Sequence, residues 1–419
     1  MDLDFTPAEQ AFRAEVRDWL AAHVPSRLPS MDTREGFEAH RAWEARLADA
    51  RLSVVSWPEE HGGRSASPIE WLIFEEEYWA SGAPARVSQN GIFLLAPTLF
   101  TFGTPSQQAA FLGRMARAED VWAQAWSEPE AGSDLAALSS RAVKVEGGWL
   151  LHGRKTWSSR AAFASHGFGL FRTSGSRHHG LTYVLFSLED VAVRPIAQLD
   201  GTPGFAELLF DGVFVPDAMV LGEPGQGWKI AMATTSSERG LTLRSPGRFL
   251  ATAERLVALA RTADPALQDR AARCLVDAEA YRLHTFGAVK GELGATTSMG
   301  KVFWSELDLR MHALAMDLLG PCAAETPVVR AAICSRSLGR STRGHERDPA
   351  QHHRRTRPGA APMNFSFTSE QLAFAAAVRE VLRDRCGPRR PRVVLEGADR
   401  ARLLRGARAG GGWRAGPHH

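Results

Sequence analysis

The chain has 419 residues, of which 44% are apolar and 23% charged, with a formal net charge of +3; this is the balance of a globular protein too long for one core, so two or three domains are expected. No basic N-terminal segment precedes an apolar run, and no uncharged apolar stretch reaches membrane-spanning length, so a membrane span is not expected and a cytoplasmic location is. Cys274, Cys322, Cys334 and Cys386 have neither CxxC nor metal-type spacing and read as reduced thiols, with no metal site implied.

The first element is a helix with Thr6 as N-cap, Pro7 at the first helical position and Glu9 closing a capping box, followed by Phe12, Val16, Trp19 and Leu20 at helical spacing. Further helical patterns cover roughly 35–51, 68–80, 89–102 and 105–117, broken by the Trp57-Pro58 turn that runs to Gly62-Gly63. His61 reads as a turn residue there, since no second ligand lies near it in sequence. From about 121 the period changes to two. Ala142–Val145 and Trp149–His152 flank Gly147-Gly148, a hairpin signal. Short strands follow at Leu181–Phe186, Val191–Val193 and Leu208–Phe210, ending near Pro216. Long apolar-periodic segments then run from about 228 to 338, divided near Asp264-Pro265 and Gly294, with Lys301–Glu306, Leu314, Leu318 and Leu319 on a core helix.

Two blocks carry the functional signal. Ala125-Trp126-Ser127-Glu128-Pro129-Glu130-Ala131-Gly132-Ser133-Asp134 resembles the "TEPxxGSD" segment of the acyl-CoA dehydrogenase family, and Gly153-Arg154-Lys155-Thr156-Trp157-Ser158-Ser159 resembles its "GxKxWIT" segment. Ser127 and Ser159 stand where threonine is usual and keep the hydroxyl. The turn at 57–63 and the run from Phe210 to Trp228 are similar to further parts of the family pattern, which covers about residues 1–340. The resemblance implies an α+β multidomain fold: an N-terminal helical domain (1–120), a middle β-sandwich or barrel (121–230) and an incomplete C-terminal four-helix bundle (231–340). It implies FAD as cofactor, with Trp126, Ser127, Gly132, Ser133, Trp157 and Ser159 at flavin positions. An isoalloxazine ring needs short donors at its polar edge and an aromatic wall, and a glycine lets backbone approach a phosphate.

α,β-Dehydrogenation of an acyl thioester needs a carboxylate to take the α-proton. Thr235-Ser236-Ser237-Glu238-Arg239-Gly240 resembles the family's base segment at the start of the first bundle helix, which makes Glu238 the candidate. Thr235 and Glu238 also match a capping box, so capping is the competing role. An Arg-x-x-Phe-Gly segment, which in many members grips the flavin diphosphate of a neighbouring subunit, is missing: the region reads Ala260–Pro265, and Thr285-Phe286-Gly287 comes too late.

Beyond Gly339 the resemblance breaks. Residues 344–359, back-translated with free degenerate bases and read one base later, can encode the family's GTSEIQRNIIAERVLG in turn, and Met363–Thr368 with Phe374, Val378, Arg379 and Leu382 repeats Met1–Thr6, Phe12, Val16, Arg17 and Leu20. A frameshift near 340 into an adjacent related gene accounts for both, so 341–419 is expected to be an aberrant, mostly disordered tail with a helix near 370–383. Residues 341–362 and 387–419 carry net charges of +3 and +6, leaving residues 1–340 acidic at −6. The tail's arginines are interleaved with Gly and Ala rather than set on a periodic face, so nucleic-acid binding is not expected. The expected activity is oxidation of an acyl-CoA to its trans-2-enoyl-CoA, with an electron-transfer flavoprotein downstream, in an oligomer of identical subunits or one mixed with the adjacent gene's product. A non-catalytic partner subunit and a flavin oxidase or monooxygenase on the same fold are the alternatives.

Overall fold

The computed structural model describes residues 4–175, 177–197, 203–239, 245–289 and 297–320. The expectations for 341–419, including the helix near 370–383, and for Cys322, Cys334 and Cys386 lie outside the described residues.

α1 (Pro7–His23) begins as its sequence predicts: the Thr6 hydroxyl accepts from the Glu9 amide at 3.2 Å, and the Glu9 carboxylate accepts from the Thr6 amide at 2.7 Å. α2 (Arg34–Asp49) follows. The same reciprocal box opens α3 (Pro68–Ala80) with Ser67 and Glu70, and later α5 (Pro105–Ala116) with Thr104 and Gln107, satisfying N–H groups that a helix start leaves without partners. Val16, Leu20, Trp43, Leu47, Leu72 and Phe74 make the core of this part. The helix expected over 89–102 is present, with a π-helical turn, Gly91–Leu95, inside it ahead of α4 (Ala96–Phe102). Pro97 has no amide to continue the α pattern, and the Ala96 amide reaches back five residues to the Gly91 carbonyl.

The middle part is an eight-stranded sheet. Its strands are β1 (Trp122–Ala125), β2 (Arg141–Val145), β3 (Gly148–Ser159), β4 (His166–Arg172), β5 (Leu181–Ser187), β6 (Ala192–Ile196), β7 (Phe205–Pro216) and β8 (Val220–Leu221). They run in the order β6-β7-β3-β2-β4-β5-β8, with β1 parallel to β4. Phe171 and Phe186 of β4 and β5 meet Phe210 of β7 edge to face at 5.1 and 5.2 Å, so the sheet wraps its own core. The other faces of β4 and β5 (Phe168, Leu170, Tyr183, Leu185) pack in one cluster with Leu95, Leu99 and Leu112. Strands buried on both sides show no alternation. That is why β4 is not apparent in the sequence.

After the sheet come α6 (Gly227–Arg239), α7 (Pro246–Leu259), α8 (Pro265–Val289) and α9 (Thr297–Leu319). Phe249, Leu256, Ala278, Tyr281, Leu307, Met311 and Leu314 form the core shared by α7, α8 and α9. α6 touches α9, while its Ile230 and Ala231 join the cluster on β4 and β5. No described helix is long and apolar enough to cross a membrane.

The predicted hairpin pairs β2 with β3, Val145 opposite Gly148, with Gly147 at φ +72° in the turn. A Cβ on Gly148 would sit 2.3 Å from the Val215 carbonyl oxygen of β7. Gly148→Ala is therefore expected to cost about 1–3 kcal/mol through forced strand separation, seen as a lower urea midpoint with an unchanged slope.

Candidate functional site

The two sequence blocks meet at the ends of β1 and β3. β1 delivers Trp126 and Ser127, and β3 carries the second block along its last half. The Thr156 amide donates to the Ser127 carbonyl at 2.9 Å, bonding one block directly to the other. Behind this contact Lys155 Nζ, wholly buried, lies 2.8 Å from Glu128 Oε1 and 3.3 Å from the Trp126 carbonyl. The second Glu128 oxygen accepts from the Ser139 amide (2.7 Å) and hydroxyl (2.8 Å), while Oε1 also accepts from the Ser140 amide at 2.9 Å. Arg172 extends the brace, donating to the carbonyls of Leu138 and Ala136 at 3.1 and 2.9 Å.

Burial disfavours both charges of the pair. For Glu128 the Lys155 ammonium and the serine donors outweigh burial and hold the carboxyl down at about 2, whereas for Lys155 burial prevails and lowers it to about 8. Glu128, Lys155, Ser139 and Arg172 were not singled out from sequence. The signal was present for the first two, because both lie inside the quoted blocks at a spacing that only a closed hairpin of segments could bring together.

β3 changes register against β7 between Lys155 and Ser158, and within that shift Trp157 adopts φ +59°. The left-handed backbone turns its indole outward: Trp157 is 58% exposed, and its ring lies perpendicular to Phe205 at a centroid distance of 5.9 Å. Such a backbone costs a bulky residue of order 1–3 kcal/mol and concentrates where a ligand is clamped. Trp126 is half-buried with its indole Nε1 enclosed and without a hydrogen-bond partner, and Ser158 Oγ is in the same condition. Gly132 and Ser133 are exposed, and no atom lies within 4 Å of where a Gly132 Cβ would be. Ser159, at the end of β3 opposite Phe205, is half-buried. Enclosed donors, an outward indole and open backbone beside Ser133 fit a planar heterocycle joined to a diphosphate.

Glu238 lies elsewhere in its helix than expected. α6 already starts at Gly227, so Glu238 stands in its last described turn and Thr235 is no N-cap: its hydroxyl donates to the Ala231 carbonyl at 2.8 Å. Thr234 and Ser236 bond back to the carbonyls of Ile230 and Met232 in the same way. Hydroxyls spent on the preceding turn permit a helix through a sequence that reads as a cap. The capping role is thereby overturned. The side chain of Glu238 lies outside the described ones. Thr285-Phe286-Gly287 is buried inside α8, and Arg282 ahead of it pairs with Glu76 of α3 and lies over the Phe286 ring, so this stretch joins helices.

A carboxylate held below its unfolded value of 4.5 stabilises the fold fully above that pH, and the contribution is lost as pH falls from 4.5 towards about 2. Glu128→Gln should abolish that acid step. Lys155→Met, which strands the carboxylate in a dry site, should instead cost about 3–5 kcal/mol at neutral pH. Urea unfolding at neutral pH and through the acid window checks both.

Models of the acyl-CoA dehydrogenase N-terminal, middle and C-terminal domains match residues 6–119, 123–213 and 225–329 in order. The chain is 38% identical over 330 residues to acyl-CoA dehydrogenase IpdE1 of Mycobacterium tuberculosis, covering 74% of this chain and 86% of that protein. The crystal structure of the ChsE4-ChsE5 complex from the same organism superposes with a TM-score of 0.70 at 26% identity, over 86% of this chain and 100% of that one. A glutaryl-coenzyme A dehydrogenase bound to glutaryl-CoA superposes with a TM-score of 0.65 at 25% identity, over 79% and 90% of the two chains. With its three domains matched in order and this degree of identity, the chain belongs to the acyl-CoA dehydrogenase family of oxidoreductases.

Proposed function

We propose that the chain binds FAD and oxidises an acyl-CoA thioester to the trans-2-enoyl-CoA. The observation that carries this reading is the joining of the two blocks through Thr156, Ser127 and the Lys155–Glu128 pair beside the outward Trp157. Members of the family typically use FAD, which when bound supplies the two-electron acceptor for the β-hydride. Trp126, Ser127, Trp157 and Ser159 would hold the ring, and Gly132 and Ser133 the diphosphate. The chain's own share of the chemistry is proton removal and positioning. Glu238 is the proposed base: α6 carries it from a buried anchor, where Thr234 Oγ1 lies 2.9 Å from Thr98 Oγ1 of α4. The electrons would leave to an electron-transfer flavoprotein.

A second reading is supported by two observations. The Arg-x-x-Phe-Gly element is missing from the chain, and one of the solved relatives is a complex of two different proteins, ChsE4 and ChsE5. In that reading the chain works as one subunit of a mixed oligomer, and its partner supplies what this chain lacks.

Two outcomes test these proposals. The purified full-length chain should carry stoichiometric FAD, and a folded colourless protein that cannot be reconstituted rejects the assignment. Glu238→Gln should keep flavin and bind thioester while flavin reduction by acyl-CoA falls about 10²- to 10⁴-fold. Unchanged reduction rejects Glu238 as base, and reduction that appears only after mixing with a related subunit selects the second reading.

A further inference from the structure

The outward face of the sheet carries an apolar row where β2, β3 and β7 lie side by side. Val143 pairs with Leu150, and Leu150 with Phe214, in the antiparallel registers of these strands. Their neighbours Ala142, Leu151, Val213 and Val215 belong to the core, so the two-residue period of a strand sets these three side chains on the opposite face. Phe214 is 51% and Val143 42% exposed, with Leu150 half-buried between them. The Phe214 ring leans over Gly148, where a Cβ would lie 2.7 Å from its Cε2, and this contact still leaves half of the side chain bare. Apolar residues scattered singly over a surface need no partner, but these three stand in line on adjacent strands roughly 5 Å apart.

The next row along the same face is charged. Arg141 pairs with His152 across β2 and β3, and His152 with Asp211 across β3 and β7, which places a cation and an anion on either side of β3. Both are exposed. Two strand spacings, roughly 10 Å, separate them. Other exposed charges of these strands are answered within the chain, Arg154 by Glu207 and Lys144 by Asp217. Arg141 and Asp211 have no ion pair among the described residues.

This arrangement is complementary to itself. A two-fold axis running along β3, between two such sheets stacked face to face, sets β2 of one copy against β7 of the other and keeps the rows level. Val143 then faces Phe214 of the second copy, Leu150 faces its own counterpart, and Arg141 faces Asp211, each unlike contact occurring twice as an isologous interface requires. The strands of the two copies stay aligned, as they do in stacked sheets. An axis across the strands would instead lay Arg141 and Asp211 over Val145 and Pro216 of the row beyond, leaving both charges without a partner.

We propose that this face is an interface between two copies of the chain, with Val143, Leu150 and Phe214 as its apolar centre and the Arg141–Asp211 contacts setting its register. Few side chains from each copy take part, so the association is of the weak, transient class. Trp157 lies further along β3, roughly 20 Å from Leu150. The contact therefore leaves the two family blocks uncovered.

Sedimentation velocity of the full-length chain from about 1 to about 100 μM, the range in which weak contacts form, should show a concentration-dependent doubling of mass. Phe214→Lys should weaken that step at least ~10-fold. Arg141→Asp and Asp211→Arg should each weaken it too, because each sets two pairs of like charges face to face. An equimolar mixture of these two variants should recover it, since every reversed charge then meets an opposite one. Association through any other face is common to all these proteins and cancels in the comparison. Equal masses for wild type and Phe214→Lys at every concentration overturn the proposal, and a mixture no better associated than its two components overturns the two-fold arrangement. If Phe214→Lys does not fold, the two surface charge variants and their mixture decide. A wild type that does not self-associate, but loses binding to a related subunit or to an electron-transfer flavoprotein on Phe214→Lys, assigns the face to that partner and overturns the second copy.

Discussion

The buried Lys155–Glu128 pair is the constraint on which the site depends. Two segments separated by about a quarter-hundred residues of chain must present their polar ends at one place, and backbone pairing alone joins them at a single amide, Thr156 to Ser127. Withdrawing an ammonium and a carboxylate from water is costly, and replacing such a pair with apolar side chains often costs nothing in stability. What an apolar pair cannot do is count hydrogen bonds. Glu128 accepts from Lys155, from the Ser139 amide and hydroxyl and from the Ser140 amide, so only one arrangement of the loop after the first block satisfies it. The ion pair thus fixes the geometry of Trp126 and Ser127 relative to Trp157 and Ser159.

A second set of buried charges ties the helical parts together. α3 carries Glu75, Glu76 and Glu77, all under 9% exposed. Glu76 pairs with Arg13 of α1 and Arg282 of α8, Glu77 with Arg13 and Arg17, and Glu75 lies beside Arg86. A helix buried on nearly every side has no solvent face on which to place such residues, and its charges must be answered by neighbours. α7 crosses α3 at Gly247, where an added Cβ would lie 2.8 Å from the Glu75 carbonyl oxygen. The N-terminal and C-terminal helices accordingly form a supported scaffold around the sheet.

Much of this was legible in the sequence, for local reasons. Thr6 and Glu9 announce a helix start because the box is made by residues three apart, and Gly147 announces a turn because it needs a positive φ. The two family blocks were legible because their backbone-shaping residues are contiguous. What stayed hidden depends on distant partners. β4 loses its alternation because both faces are covered. The Thr235–Glu238 spacing looks like a cap, and only the apolar anchor of Ile230 and Ala231 on the sheet cluster draws the helix start back to Gly227. The Lys155–Glu128 pairing needs the closed fold before its two charges can meet. The π-helical turn follows from Pro97, but its packing against α6 does not.

Some of the strained and unsatisfied groups lie in or beside the two blocks. Trp157 holds a left-handed backbone with its indole outward, Trp126 encloses an N–H with no acceptor, and Ser158 Oγ is likewise enclosed without a partner. Other buried polar groups are answered: Trp43 Nε1 donates to the Tyr78 hydroxyl at 2.9 Å, and Gln107 donates to the carbonyls of Ala218 and Val220 at 2.8 Å. A fold that can satisfy Gln107 across domains gains nothing from leaving Trp126 unmet unless something else completes it, since an enclosed donor without an acceptor costs about 1–3 kcal/mol. Trp126 packs on the cluster that joins the first block, the π-helical turn and α6, while Trp157 and Ser158 lie on β3, which contacts β1.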